Sequence, residues 1–204
     1  SLLFSSGEAT FSSIDLINKE FKSSGNQQIN LSKSYLKRHK IFRKKLLSTV
    51  SSLNRIKVCV IGDLIIDEYI SCNALGMSQE EPTLVVTPID SKKFVGGAGI
   101  VAAHAAGCGA NVKLISVVGK DELGAYANQS LKMMGVESFF FEDERRPTTL
   151  KQRYRSGGKS LLRISKLHQD PISSALEKKI FSKIKKILSQ CDLLIFSDFN
   201  YGCL

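Results

Sequence analysis

This sequence has no paired cysteines, no gathered histidines and no long apolar run, and each absence closes off a class of function. Cys59, Cys72, Cys108, Cys191 and Cys203 are far apart, with no C-x-x-C among them, and His39, His104 and His168 are equally dispersed, so no metal-ligand set emerges. Several of the thiols sit in or beside apolar runs. Free buried thiols of this kind suit a reducing compartment, and a cytoplasmic location is expected. Nothing approaches the ~20 apolar residues that a membrane helix needs, so no membrane span is expected. The opening "SLLFSSGEATFSS" carries neither a basic region nor a sustained apolar one and does not read as a secretory signal. It also lacks Met, and the chain is expected to continue before it.

Acidic residues are scarce at the front. Residues 1–57 hold 11 Lys/Arg against 3 Asp/Glu, whereas 58–204 hold 18 against 16, so most of the formal +10 belongs to the first segment. Within it, "KSYLKRHKIFRKKLLSTVSSL" spaces Tyr35, Leu36, Ile41, Phe42, Leu46 and Leu47 to predict one basic amphipathic helix. Its ordinary role is a packed stripe with a solvated face. Binding of nucleic acid or of an acidic membrane surface is the alternative, and nucleic acid is not the expected partner.

Beyond Asn54 the pattern changes. The sequence predicts strands over 57–62, 83–89, 112–118, 138–141 and 192–197, with a polar stretch before residue 83, and helices over 97–107, 121–134 and 172–189. Such alternation argues for βαβ units and a parallel sheet with helices on both faces. Two further strands, 148–155 and 160–165, flank Gly157 and Gly158 and predict an antiparallel flap attached to that sheet. In the last helix, Ser173 or Ser174 offers a cap, Glu177 complements the dipole, and Ile180, Ile184, Ile187 and Leu188 mark the inner face.

Two apparent phosphate loops fail on spacing. "GGKS" ends like a nucleotide-binding loop, but Arg153 stands where that motif needs glycine, and a hairpin turn is the better reading. Reading G-x-G-x-x-G from Gly97 reaches Gly99 and then Ala102, with no buried strand leading in. What remains is a helix N-terminus with little side-chain bulk, where Gly96 and Gly97 expose backbone N–H groups to a ligand such as a polyol or sugar phosphate. In "VIGDLIIDEYI", Asp63 ends the first strand and Asp67 follows four residues later. Either acid could accept from two adjacent sugar hydroxyls, and either could serve only a turn or cap. "SDFNYG" sets Asp198 at another strand end.

Taken in order, "VIGDLIIDEYI", "MSQEEPTLVV", "FVGGAGIVAAHAAGCGANVKLISVVGKDELG", "TTLKQRYRSGGKSLLRIS" and "LLIFSDFNYGCL" resemble the first half of a PfkB (ribokinase-like) sugar kinase, nearest the heptose 7-phosphate kinase branch. The resemblance runs from about residue 55 to the end. It implies a ribokinase-like three-layer α/β/α fold with a small β lid, incomplete because the family's second half is not in the sequence. It implies that Asp63 holds sugar hydroxyls, that Gly96 and Gly97 give the sugar-contacting backbone, and that Lys151, Arg153 and Arg163 meet an anionic substituent such as a 7-phosphate. Asp67 and Asp198 complete the expected substrate set. Ile100 stands where the family usually has an Asn that bonds the sugar, which removes one polar contact.

The family's Gly-Ala-Gly-Asp motif, with the catalytic base and anion hole, is absent from the sequence, as is most of the ATP site. The resemblance places that catalytic Asp beyond Leu204. No catalytic residue and no metal ligand is therefore expected here. ATP and Mg²⁺ are implied for the complete kinase and neither for this chain alone. The implied activity is ATP-dependent phosphorylation of a sugar or sugar phosphate, with heptose 7-phosphate in lipopolysaccharide-precursor synthesis as the leading substrate. The alternatives are a non-catalytic sugar-phosphate-binding or assembly module and a basic interaction module driven by residues 30–50. A homodimer through the lid, as in some relatives, is a further expectation. "GEATFSSIDLINKEF" resembles the closing stretch of a cytidylyltransferase-like domain, so residues 1–54 are expected to be such a tail plus a basic linker helix, and 55–204 the first half of a kinase domain.

Overall fold

The computed structural model of the chain describes residues 3–5, 10–12 and 33–204. Two units divide it, residues 1–46 and residues 47–204. In the first, β1 (Leu3–Ser5) pairs antiparallel with β2 (Thr10–Ser12). Apart from β2, the stretch "GEATFSSIDLINKEF" lies outside the described residues. The single basic helix expected over this region is instead two, α1 (Lys33–Arg38) and α2 (Arg43–Ser52). Between them Lys40 takes a φ of 51°, a left-handed turn that no continuous helix accommodates. No residue of either helix is buried, so the expected packed stripe does not form.

Residues 47–204 carry two sheets. The first is wholly parallel and is built from β3 (Lys57–Gly62), β6 (Asn111–Val118), β7 (Val136–Glu142) and β10 (Leu193–Ser197), in the order β10-β3-β6-β7. Successive side chains of a strand point to opposite faces, so an apolar run such as "KVCVIG" needs cover on both. Val58, Val60, Val112 and Leu114 pack with Ala98, Ala102, Ala127 and Leu131 of α3 (Ala98–Gly107) and α4 (Glu122–Met133). On the other face, Cys59, Ile61, Ile115 and Val117 pack against Ile180 and Ile187 of α5 (Ser174–Leu188). This is the three-layer α/β/α arrangement expected.

The inner face of α5 is as read from the sequence except at its end. Ile180 and Ile187 are buried and Ile184 packs beside them, whereas Leu188 is 37% exposed. Ser173 provides the cap, accepting from the Leu176 N–H at 3.3 Å.

The second sheet departs from the sequence reading. Residues 64–77 are one continuous strand, β4 (Leu64–Met77), and β5 (Leu84–Gly97) is twice the length expected. Residues 73–94 are almost wholly exposed, which erases the apolar alternation that marks a half-buried strand, and among the buried positions of β4 the polar Glu68 interrupts it. The hairpin β8 (Thr149–Ser156) and β9 (Lys159–Lys166) turns through Gly157 and Gly158, at φ of 55° and 78°. Two successive positive φ angles define the tight hairpin turn that two glycines permit. The hairpin joins β4, parallel through β8, rather than the parallel sheet, and the four strands, ordered β5-β4-β8-β9, together form the lid.

Candidate functional site

At the carboxyl end of β3, Asp63 is buried at 4% exposure, and its side chain is fully engaged by backbone. Oδ2 accepts from the N–H groups of Phe199 (2.8 Å) and Tyr201 (3.2 Å), and Oδ1 from that of Cys203 (3.2 Å). Arg146, equally buried, donates Nη1 to the Tyr201 carbonyl and Nη2 to that of Asp170, each at 2.9 Å, and Nε to Asp143. A buried acid and a buried base thus hold the loop after β10 from two sides. The acid expected to hold sugar hydroxyls accepts here from three backbone donors and shapes the loop. Those donors come from more than 130 residues away, which no local reading of "VIGD" anticipates.

Asp67 lies on the lid, mid-strand in β4 and not in a turn or cap. The register places it opposite Phe94 and Lys151, Tyr69 opposite Lys92 and Arg153, and Ser71 opposite Asp90 and Arg155. Alternate positions share a face, so these side chains converge on one side of the sheet. There they border a cleft of about 670 Å³, lined by Asp67, Tyr69, Ser71, Asp90, Lys92, Phe94, Val95, Gly96, Ile100 and Arg155. Arg153 pairs with Asp67 through Nη1 and Oδ1, and the Asp67 carboxylate raises the guanidinium pKa further. Both guanidinium groups cover the Tyr69 ring, Arg153 at 5.1 Å and Arg155 at 5.8 Å.

The double glycine has a steric reason. A Cβ at Gly96 would meet the Asp67 carboxylate, and one at Gly97, which holds a φ of 56°, would meet the Asp63 carbonyl. That carbonyl accepts from the Ala98 N–H at 2.9 Å, so the first amide of α3 is already engaged. Of the residues expected to touch sugar, the structure gathers Asp67, Gly96 and, through Asp67, Arg153. Gly97 and Asp63 support them from behind. Lys151 sits over the Phe199 and Tyr201 rings, at 5.6 and 5.0 Å. Arg163 faces Arg153 across β8 and β9, and Asp198 is exposed, accepting from the Asn200 N–H at 2.7 Å.

Sequence reasoning misses Tyr69, Asp90, Lys92, Phe94 and Arg155. Counting by twos from Asp67 finds Tyr69 and Ser71 once β4 is recognised as a strand. The β5 residues need the register, which only pairing supplies.

A separate cavity of about 800 Å³ runs along α4 and β7, and it draws on an acid with another task. Asp121 caps α4 through Gly124 N–H (2.9 Å) and binds Thr148 through both its N–H (2.8 Å) and its hydroxyl (2.7 Å). Burial opposes ionisation of Asp121, but these bonds outweigh it and hold the carboxyl below its usual range. Among the described residues no three His, Cys, Asp or Glu side chains gather as metal ligands.

A parallel sheet covered on both faces, with a four-stranded lid carrying a polar cleft, defines a ribokinase-like sugar kinase fold. The chain belongs to the pfkB family carbohydrate kinases, whose model matches residues 55–200. Its relatives include the bifunctional protein HldE of Helicobacter hepaticus, 36% identical over 149 residues (72% of this chain, 31% of that protein). Another is the D-beta-D-heptose 7-phosphate kinase of Bordetella bronchiseptica, 35% identical over 150 residues (74% and 47%). These fall in the branch that the sequence motifs resemble. The chain spans about a third of the first and about half of the second. Two solved structures share the fold: a carbohydrate kinase from Agrobacterium tumefaciens (TM-score 0.51, 16% identity, 69% of this chain and 45% of that one) and Arabidopsis thaliana ribokinase complexed with ribose and ATP (TM-score 0.50, 16%, 69% and 45%).

Proposed function

We propose that this chain forms the acceptor-sugar side of an ATP-dependent kinase acting on heptose 7-phosphate in lipopolysaccharide-precursor synthesis, within a longer protein. One observation carries the reading: the strand register brings Lys92, Lys151, Arg153, Arg155 and Arg163 to the lid face that carries Asp67 and Asp90, a mix of cations and carboxylates suited to a sugar bearing both hydroxyls and a phosphate. The name of the Bordetella bronchiseptica relative supports heptose 7-phosphate over other sugar phosphates. In this reading Asp67 accepts sugar hydroxyls, Gly96 lets the ring approach the backbone, and the lid cations hold the phosphate. Positioning of this kind is much of what phosphoryl transfer asks of a protein. No step is routed through Mg²⁺, and no ATP turnover is expected of the 204 residues alone.

The kinase part is proposed to begin near Arg55, with residues 1–54 as the tail of a nucleotidyltransferase-like domain and a linker. Titration calorimetry with heptose 7-phosphate tests both proposals. Binding is expected, with Asp67→Ala weakening it by about 10- to 100-fold, the range of a charge-assisted hydrogen bond. A chain starting at Arg55 is expected to bind equally well. Full affinity in the Asp67→Ala chain overturns the pocket assignment.

A further inference from the structure

Asp67 borders the cleft, yet its Oδ1 is already held by Arg153. The two side chains are 23% and 25% exposed, sheltered enough for a strong pair and open enough for a ligand to reach. Accepting a vicinal diol in the two-oxygen mode uses both carboxylate oxygens. An unphosphorylated sugar is therefore left the remaining lone pair of an oxygen whose charge the guanidinium already engages, a poorer acceptor than a free carboxylate. A phosphate monoester changes the balance. It presents up to two negative charges and three acceptor oxygens, which a guanidinium can engage bidentately.

The surroundings favour transfer of Arg153 to such an anion. Arg155 and Lys92 border the same cleft and Arg163 lies directly across from Arg153, so an anion near Arg153 meets three further cations, with Asp90 the one other acid in the lining besides Asp67. Tyr69 provides a surface on which the guanidinium rests at 5.1 Å and along which it can shift while keeping its ring contact.

We propose that the Asp67–Arg153 pair is an exchangeable latch selecting phosphorylated over unphosphorylated sugars. The phosphate takes Arg153, and Asp67 is thereby released to the sugar hydroxyls. Arg153 is then a specificity-determining residue, acting on hydroxyl recognition through Asp67. The latch rests on the acceptor-site reading above, and its test separates the two.

Calorimetry would use three ligands: heptose 7-phosphate, the same heptose without phosphate, and inorganic phosphate. In the unaltered chain, saturating inorganic phosphate is expected to raise affinity for the plain heptose about tenfold, because two ligands that favour one arrangement bind cooperatively. In Arg153→Gln, plain heptose is expected to bind about tenfold tighter than in the unaltered chain, heptose 7-phosphate at least tenfold weaker, and the coupling to inorganic phosphate is expected to vanish. A merely structural Arg153 predicts weaker binding of both sugars. A simple phosphate ligand predicts an unchanged affinity for plain heptose. Either result overturns the latch, as does absence of coupling in the unaltered chain, which decides the matter alone if the variant does not fold. Failure of the unaltered chain to bind either sugar overturns the acceptor reading and the latch with it.

Discussion

Asp143 receives both the Nε and Nη2 of Arg145 at 3.1 Å and the Nε of Arg146 at 3.2 Å. The Arg145 hydrogen bond is the main cause that brings its carboxyl down to about 2, burial works against it, and Arg146 adds to the lowering. A folded-state pKa below the ordinary 3.8 stabilises the fold above about pH 4, and that contribution is lost as pH falls through about 2. Arg145 is 60% exposed, so solvent screens part of the interaction. Denaturant unfolding followed from pH 5 to pH 1.5 is expected to show an acid limb that Asp143→Asn flattens. An identical limb in the variant would remove Asp143 from the account. The thiols behave differently: burial, with smaller contributions from neighbouring groups, pushes Cys59 and Cys203 up to about 11, which keeps them as inert packing groups.

At the scale of elements, the junction of β5 and α3 decides how the lid meets the parallel sheet. Gly97 holds a φ of 56° with no room for a Cβ beside the Asp63 carbonyl. Gly97→Ala is expected to cost about 2 kcal/mol or more, from backbone strain plus displacement of that carbonyl. A drop of several degrees in Tm checks this, and an unchanged Tm contradicts it. The elements also show how far sequence patterns reach. β3, β6, α4 and α5 were legible because burial imposes strict apolar spacing on them. The strands β4 and β5 were not, since Glu68 interrupts the buried stripe of Ile66, Ile70 and Cys72, residues 73–94 are almost wholly exposed, and the second partner of β4, β8, lies far along the chain. Asp67 and Arg153 were named from motifs, but their contact follows from the register of β4 with β8.

For the whole molecule, the side of the lid away from the cleft is buried along β4, at Ile66, Glu68, Ile70 and Cys72, and opens at its β9 edge. Leu162 and Ile164 of β9 are 55% and 43% exposed there. Apolar surface of this kind on a short sheet favours association, and we propose a homodimer through the lid. Sedimentation equilibrium is expected to give a dimer that Leu162→Lys converts to monomer. A wild-type monomer at micromolar concentration would exclude it.

The sequence by itself determined the family, the three-layer arrangement and the chemical types in the site, because apolar periodicity and short ordered motifs are local properties of the chain. Only the tertiary structure decided which acid serves which purpose. Asp63 and Asp67 sit four residues apart in one short motif. One is surrounded by backbone donors from a loop over 130 residues later, and the other is turned into the cleft beside Arg153. A carboxylate acts on the donors within reach, and those donors are set by strand register and chain crossover.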